Sequence, residues 1–328
     1  MASIDAVAGR RPLSGRRRRF GDVALVGVAG LAAAAAVVLV GAIAYKLVRQ
    51  AWPAIDRFGL HFLVHVAWDP VRGVFGAGSF LFGTAVTSLV ALAIAGPLSI
   101  AIALYLTELA PRFLRGPVTA LVEMLAAVPS VVVGLWGILV LGPLLAHHVE
   151  PFLHRWLGFI PLFGSPSLGP QSMFTAIVVL TIMIIPIVSS ISRELFLGVP
   201  SELKDGALAL GTTRWEMVRG VVFPYARAGI AAALILGLGR AVGEAIAVTQ
   251  VIGSAVQIRA NLFQNGDTLA SKIASSYQGA TGHLEVPSLV YLAVILLVFS
   301  LLANVTAQWI VRRVARKHTV GVSRAGAL

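Results

Sequence analysis

Residues 73–107 contain no Asp, Glu, Lys or Arg, and neither do residues 286–311. A hydrocarbon layer about 30 Å thick is crossed by roughly 20 helical residues. Both runs are therefore long enough to span a bilayer and too apolar to cover the outside of a water-soluble fold. Further runs with at most two charges bring the expected spans to six, near 23–45, 79–107, 118–144, 171–191, 228–252 and 287–310. Pro97, Pro129 and Pro186 fall within the second, third and fourth, where neighbouring helices can satisfy the freed backbone groups. Composition agrees: only 12% of the 328 residues are charged, half of the about 25% usual in soluble domains. The expected fold is an all-α membrane protein of six transmembrane helices.

A formal net charge of +12 would suit a nucleic-acid binder, but the basic residues flank the apolar runs, so no nucleic acid is expected. Their distribution orients the chain instead. With the N-terminus inside, eighteen of the 26 Lys and Arg fall in inner segments and seven in outer ones, leaving Arg240 within a span. Both termini are expected in the cytosol. The resulting layout is a basic N-terminus 1–22, a first helix 23–45, a periplasmic segment 46–78, a core 79–311 with a cytosolic loop 192–227, and a basic tail 312–328. Arg16–Arg19 ahead of an apolar run imitates a signal peptide. That run exceeds the roughly 7–15 residues of a signal core, so a retained helix is expected. The chain has no cysteine, which removes disulfide and thiolate chemistry.

Two outer segments carry histidine. One holds His61 and His65 with Asp69, and the other holds His147, His148, Glu150 and His154. Helical His pairs bind metal, but Pro70 interrupts the first set, and adjacent His147 and His148 point to different faces. Interfacial histidines are the better reading, and no metal is expected.

The inner loop after the fourth apolar run has helical punctuation. Pro200 and Ser201 begin a helix with Glu202 and Asp205 expected in its first turn, where negative charge suits the dipole. Gly211 ends it, and a second short helix is expected from about Thr213 to Val222, stopping near Pro224. Leu208, Leu210, Trp215, Met217 and Val218 supply apolar knobs. The residues alone leave two readings open, a helix resting on lipid or one docking on a partner. Gly206 and Gly211-Thr212-Thr213 imitate a phosphate-binding loop, but Thr212 stands where lysine is required, so ATP hydrolysis must belong to another polypeptide.

The fifth run contains Gly237, Gly239, Arg240, Gly243 and Glu244. A charge in mid-bilayer costs roughly 2.5–3.5 kcal/mol or more, and the Arg-before-Glu order at i,i+4 is the weaker one. The glycines allow either a close backbone neighbour or room for a ligand. One reading is a buried pair joining two helices; the other is a site on the route of an anion.

Two resemblances narrow these readings. Asp205-Gly206-Ala207, three residues, Gly211, nine residues, then Val221-Val222-Phe223-Pro224 is similar to the cytosolic signature of ATP-binding-cassette (ABC) importer permeases. The spacing is intact, while Asp replaces the usual Glu and Gly206 the first Ala. Gly239-Arg240-Ala241-Val242-Gly243-Glu244 resembles the G-R-A-[IV]-G-E signature of PstC-type permeases of bacterial phosphate uptake. So do Ala127–Gly137 and Ala209–Glu216, and the resemblance runs from about Phe80 to Arg313. It implies a type I ABC-importer permease fold in the bacterial inner membrane, with residues 201–224 as a coupling helix against the ATPase. Glu202, Asp205, Gly206, Ala207, Leu210, Gly211, Trp215 and Pro224 would make that contact, and Arg240, Glu244, Gly239 and Gly243 would line the phosphate route. The implied partners are a PstA-type permease, a PstB-type ATPase dimer using ATP and Mg, a PstS-type phosphate-binding protein and lipid, with no catalytic residue or cofactor in this chain. A permease for another oxyanion or small solute is the alternative, and a secondary carrier or channel the rival from another class.

Overall fold

The computed structural model describes residues 20–167 and 169–325. The expected basic segment 1–22 lies almost wholly outside them, as do the last three residues of the tail 312–328. The chain divides into two compact units, residues 1–49 and 50–328. The described part of the first is the leading stretch of α1 (Phe20–Phe58). Its Leu25, Leu31, Val37 and Leu39 are exposed, which a helix tolerates where the surrounding solvent is lipid.

The second unit contains α2 (Gly78–Leu109), α4 (Ser130–Leu157), α5 (Met173–Leu197) and α7 (Arg214–Gly243). Between or after these lie α3 (Arg112–Ala127), α6 (Ser201–Ala209), α8 (Ile246–Val251), α9 (Leu269–Ser276) and α10 (Glu285–Ala325). With α1, six described helices are long and apolar enough to cross a membrane. Among the described residues the only β pairing is a single bridge between Asp69 and Val74. The all-α expectation and the six spans hold.

α5 is the centre of the second unit. Its Ile177, Leu180, Ile184 and Val188 are buried against Ala91 and Ala95 of α2, Val133 of α4, Ala233 and Ala241 of α7, and Val248 and Val251 of α8. Small residues on the surrounding helices let their backbones close on it, the usual route to affinity between helices in lipid. Gly237 is one such point: a Cβ there would meet Val188 and Ile184 at 2.9 and 3.0 Å. A second cluster, nearer the 192–227 loop, joins Phe196 and Val199 to Met217, Val218, Val222 and Ala226.

Prolines mark several boundaries. Val128-Pro129 breaks the chain between α3 and α4, with Val128 extended at ψ 127°, because the proline ring clashes with the preceding residue's Cβ in helical geometry. Val199-Pro200 does the same ahead of α6. Gly96-Pro97 and Gly116-Pro117, with no Cβ before the ring, stay inside α2 and α3. Ile185-Pro186 continues within α5, where the surrounding helices hold it. The expected span 118–144 is therefore corrected: it is two helices, and the long apolar one is Ser130–Leu157. That helix also takes in His147, His148, Glu150 and His154, expected in the segment beyond the span.

The fifth span shifts too. Instead of 228–252 the continuous helix is Arg214–Gly243, and the chain turns at Glu244 (ψ 114°) before α8. The expected stop at Pro224 does not occur. A wide turn at Val218–Val222, bonded i to i+5, precedes Phe223-Pro224, so the missing proline N–H falls where the regular ladder is already interrupted.

Candidate functional site

Arg240 and Glu244 close the last turn of α7. Arg240 Nη2 lies 3.2 Å from Glu244 Oε2, and the arginine side chain is 44% exposed while the glutamate is 6% exposed. Glu244 sits in the turn rather than in the helix. Its Oε1 accepts the backbone N–H of Ala247 at 3.2 Å, one of the donors that the start of α8 leaves without a helical partner. One buried carboxylate thus caps α8 and steers a guanidinium. The expected picture of two charges inside a single helix is corrected: the pair marks the junction of two helices.

The three glycines divide by environment. Gly237 is packed on α5, whereas a Cβ on Gly239 or Gly243 would meet nothing within 4 Å. Arg240 faces two cavities. One, of about 130 Å³, is bounded by Val128, Val133, Met183 and Ile187. The other, of about 720 Å³, runs along the open side of α7 and is also lined by Gly239. Arg240 is therefore a fixed cation on the wall of an open space in an otherwise apolar region. It can donate paired N–H bonds to an oxyanion.

The segment after α5 has the geometry of an exposed platform. Glu202 lies in the first turn of α6; Asp205 falls in the second turn, one step later than expected, because helical geometry begins at Ser201. Gly211 ends the platform at φ +83°, a conformation cheap only for glycine. Thr213 caps the next helix, accepting from Glu216 N at 3.3 Å while Glu216 Oε2 accepts from Thr213 N at 2.8 Å. Glu202, Asp205, Gly206, Leu210, Gly211, Trp215 and Pro224 are all exposed, and Ala207 is half-buried. Leu210 is 87% and Trp215 62% exposed, but Met217 and Val218, expected as outward knobs, are buried. They anchor the platform by packing on Phe196 and Val199.

A tether missed in the sequence holds this platform. Lys204 Nζ lies 2.6 Å from Glu108 Oε1 and 3.2 Å from the Phe196 carbonyl, and Arg214 donates to the Glu108 carbonyl at 3.2 Å. The partners are 96 and 106 residues apart, so no local pattern could announce them. Elsewhere Glu150, considered above with the histidines, is fully buried and accepts from Ser172 Oγ at 2.9 Å. His154 Nδ1 lies 3.0 Å from the Phe163 carbonyl. No group of three His, Cys, Asp or Glu among the described residues is arranged to hold a metal ion.

In the segment before α9, Asp267 is 1% exposed. Its Oδ1 accepts Thr268 N at 2.9 Å, and Oδ2 has no partner among the described residues. Burial raises its pKa to about 6. Burial also lowers the pKa of nearby Lys272, whose ammonium stands 5.3 Å from the Trp68 ring and 5.9 Å from that of Phe80.

The chain belongs to the binding-protein-dependent transport system inner membrane component family, whose profile matches residues 95–316. It is a multi-pass membrane permease subunit. Within that family it is 40% identical over 316 residues to the phosphate transport system permease protein PstC of Mesorhizobium japonicum, covering 95% of this chain and 96% of the relative. It is 41% identical to the PstC of Haemophilus influenzae, covering 84% and 88%. It is 40% identical to PstC 2 of Mycobacterium tuberculosis, covering 89% and 92%. Among solved structures it resembles a chain of a bacterial alginate ABC transporter in complex with a periplasmic protein bound to an alginate pentasaccharide (TM-score 0.58, 16% identity, 91% of this chain and 98% of that one). It also resembles a chain of the inward-facing MetNI methionine ABC transporter (TM-score 0.52, 20% identity, 74% and 95%). At those identities the likeness establishes the fold, that of an ABC importer permease.

Proposed function

We propose that this chain is the permease subunit of an ATP-driven importer that carries inorganic phosphate into the cell. The observation that carries the reading is Arg240. It is a guanidinium held by a buried carboxylate on the wall of an open cavity, in the stretch shared by sequence pattern with PstC-type permeases. The relatives named for phosphate transport point the same way. A planar guanidinium suits phosphate oxygens, and the open space beside Gly239 and Gly243 leaves room for the anion to approach. Both Glu244 oxygens are already engaged, which favours an orienting role for Glu244. Acceptance of the phosphate proton, which would help reject sulfate, is the secondary reading.

The exposed platform at residues 201–224 supports docking on a separate ATPase, which would supply ATP and Mg; this chain would bind no cofactor. Glu202, Asp205, Gly206, Leu210, Gly211, Trp215 and Pro224 are exposed and Ala207 is half-buried, so all eight are available for that contact. The remaining partners would be a second, PstA-type permease, a PstB-type ATPase dimer and a PstS-type binding protein. The bias of Lys and Arg supports a bacterial inner-membrane location with both termini in the cytosol. Since Arg240 and Glu244 together are neutral, the second permease must bring a further cation to the route.

The test is phosphate uptake by the four-component complex in proteoliposomes. Arg240→Ala should abolish uptake while the complex still assembles, and wild-type uptake would remove the site assignment. Glu244→Gln should lower uptake; unchanged exclusion of sulfate in that variant would remove the selectivity role.

A further inference from the structure

The cavity of about 720 Å³ does not end at Arg240. It is lined along α7 by Ala228, Ala232, Gly239 and Arg240, and on the opposite wall by Asn304 and Gln308 of α10. Positions 228 and 240 are about 18 Å apart along a helix rising 1.5 Å per residue, so the space is a channel-like groove rather than a pit. The small residues of α7 leave the room. The two amides are the only Asn or Gln within the charge-free run 286–311. One turn apart at i,i+4, they share a face, and neither hydrogen-bonds to another described residue. As the fifth and sixth spans, α7 and α10 run in opposite directions. With both termini in the cytosol, Asn304 and then Gln308 lie at successive depths on the cytosolic side.

We propose that Asn304 and Gln308 are direct contacts for the anion after it leaves Arg240, receiving its oxygens in turn on the way to the cytosol. This rests on the reading of Arg240 as the phosphate contact. Conduction needs sites that bind well enough to admit an ion and weakly enough to release it. A second arginine here would hold the anion, whereas bare aliphatic walls would offer nothing in exchange for water. Each amide supplies two N–H donors without adding charge, and its carbonyl can accept a hydrogen bond from the P–OH of hydrogen phosphate.

The test uses the four-component complex in proteoliposomes. This chain has no native cysteine, so single cysteines can be placed at 304, at 308 and at Leu302, which is exposed on another side of α10. The other subunits are made cysteine-free. An anionic methanethiosulfonate should modify positions 304 and 308, more slowly when phosphate and ATP are present, and should spare 302. In parallel, Asn304→Asp and Gln308→Glu keep the side-chain size but present a negative charge. They should cut maximal phosphate uptake at least tenfold. Asn304→Leu and Gln308→Leu should cut it two- to fivefold, and all four should retain the partner subunits on purification. Wild-type uptake by the acidic variants overturns the proposal. So does labelling of 304 and 308 by lipid-soluble reagents alone, which makes the groove a lipid site. Loss of the second permease from the variants also overturns it, by making this face a subunit contact. Arg240→Ala separates the two levels. If it transports normally, the reading of Arg240 falls and this one with it. If it is inactive while the 304 and 308 variants behave as wild type, only the present inference falls.

Discussion

Gly237 and Gly239 stand two residues apart on α7 and meet opposite surroundings. At Gly237 the helix leans on α5, with Val188 and Ile184 where a side chain would go. At Gly239 the same absence of a side chain opens onto the large cavity. One flank of α7 is filled by apolar contacts, while the other keeps polar groups facing space. The lesson is that a glycine in a membrane helix serves close approach or open passage according to the neighbour it faces.

The sharpest way to test that contrast is on the packed flank. Gly237→Leu should destabilise the protein by about 1–3 kcal/mol, the usual cost of overpacking a filled site, seen as a lower thermal midpoint in detergent. An unchanged midpoint would mean that α7 does not bear on α5 as described.

Asp267 is a polar group that the segment before α9 leaves half satisfied, and its titration gives an effect of similar size. Its folded pKa of about 6 lies above the roughly 3.9 of a free aspartate, so folding favours the neutral form. The associated stability is complete below pH 4 and is lost as pH rises through 6, by on the order of 2–3 kcal/mol. Asp267→Asn should flatten the stability profile across pH 4–6. A slope as steep as that of the parent would assign the dependence to other groups.

On the open flank the expectation reverses. Gly239→Leu should leave the thermal midpoint unchanged yet reduce uptake about tenfold, equivalent to about 1.4 kcal/mol, because the side chain enters the space beside Arg240. A stability loss as large as that at Gly237 would erase the distinction between the flanks.

The smallest effect concerns the tether of the platform. Lys204→Ala should lower uptake two- to threefold while phosphate-independent ATP hydrolysis persists, and the exchange of Glu108→Lys with Lys204→Glu should restore part of it. No change in uptake would leave the 2.6 Å contact without a part in coupling.

Much of this architecture was legible in the chain. Charge-free and charge-poor runs announced six spans, Pro200-Ser201 and Gly211 bounded the platform helix, and Arg240 with Glu244 stood out as costly charges. The break at Pro129 was not legible from its neighbour, since β-branched Val128 precedes it but β-branched Ile185 precedes Pro186, which stays inside α5. Inside a span, neighbouring helices can satisfy the backbone groups that a proline frees, and packing rather than local sequence decides whether they do. Asp205 differed by one turn because the helical start, which proline shifts, decides which residues the dipole favours. Met217 and Val218 could not be separated from Trp215 by type, because all three are apolar and only their neighbours distinguish them.

Local chemistry by itself thus determined what must cross the membrane, where helices cap, and which charged residues need a reason to be there. Hydrophobicity, proline sterics and capping act over a few residues. The tertiary structure decided which face of α7 is filled and which is open. It also brought Glu108 to Lys204, turned Glu244 into the cap of a second helix, and set Asn304 and Gln308 across a cavity from α7. Those outcomes depend on which distant helix arrives alongside, and composition and spacing do not encode that neighbour.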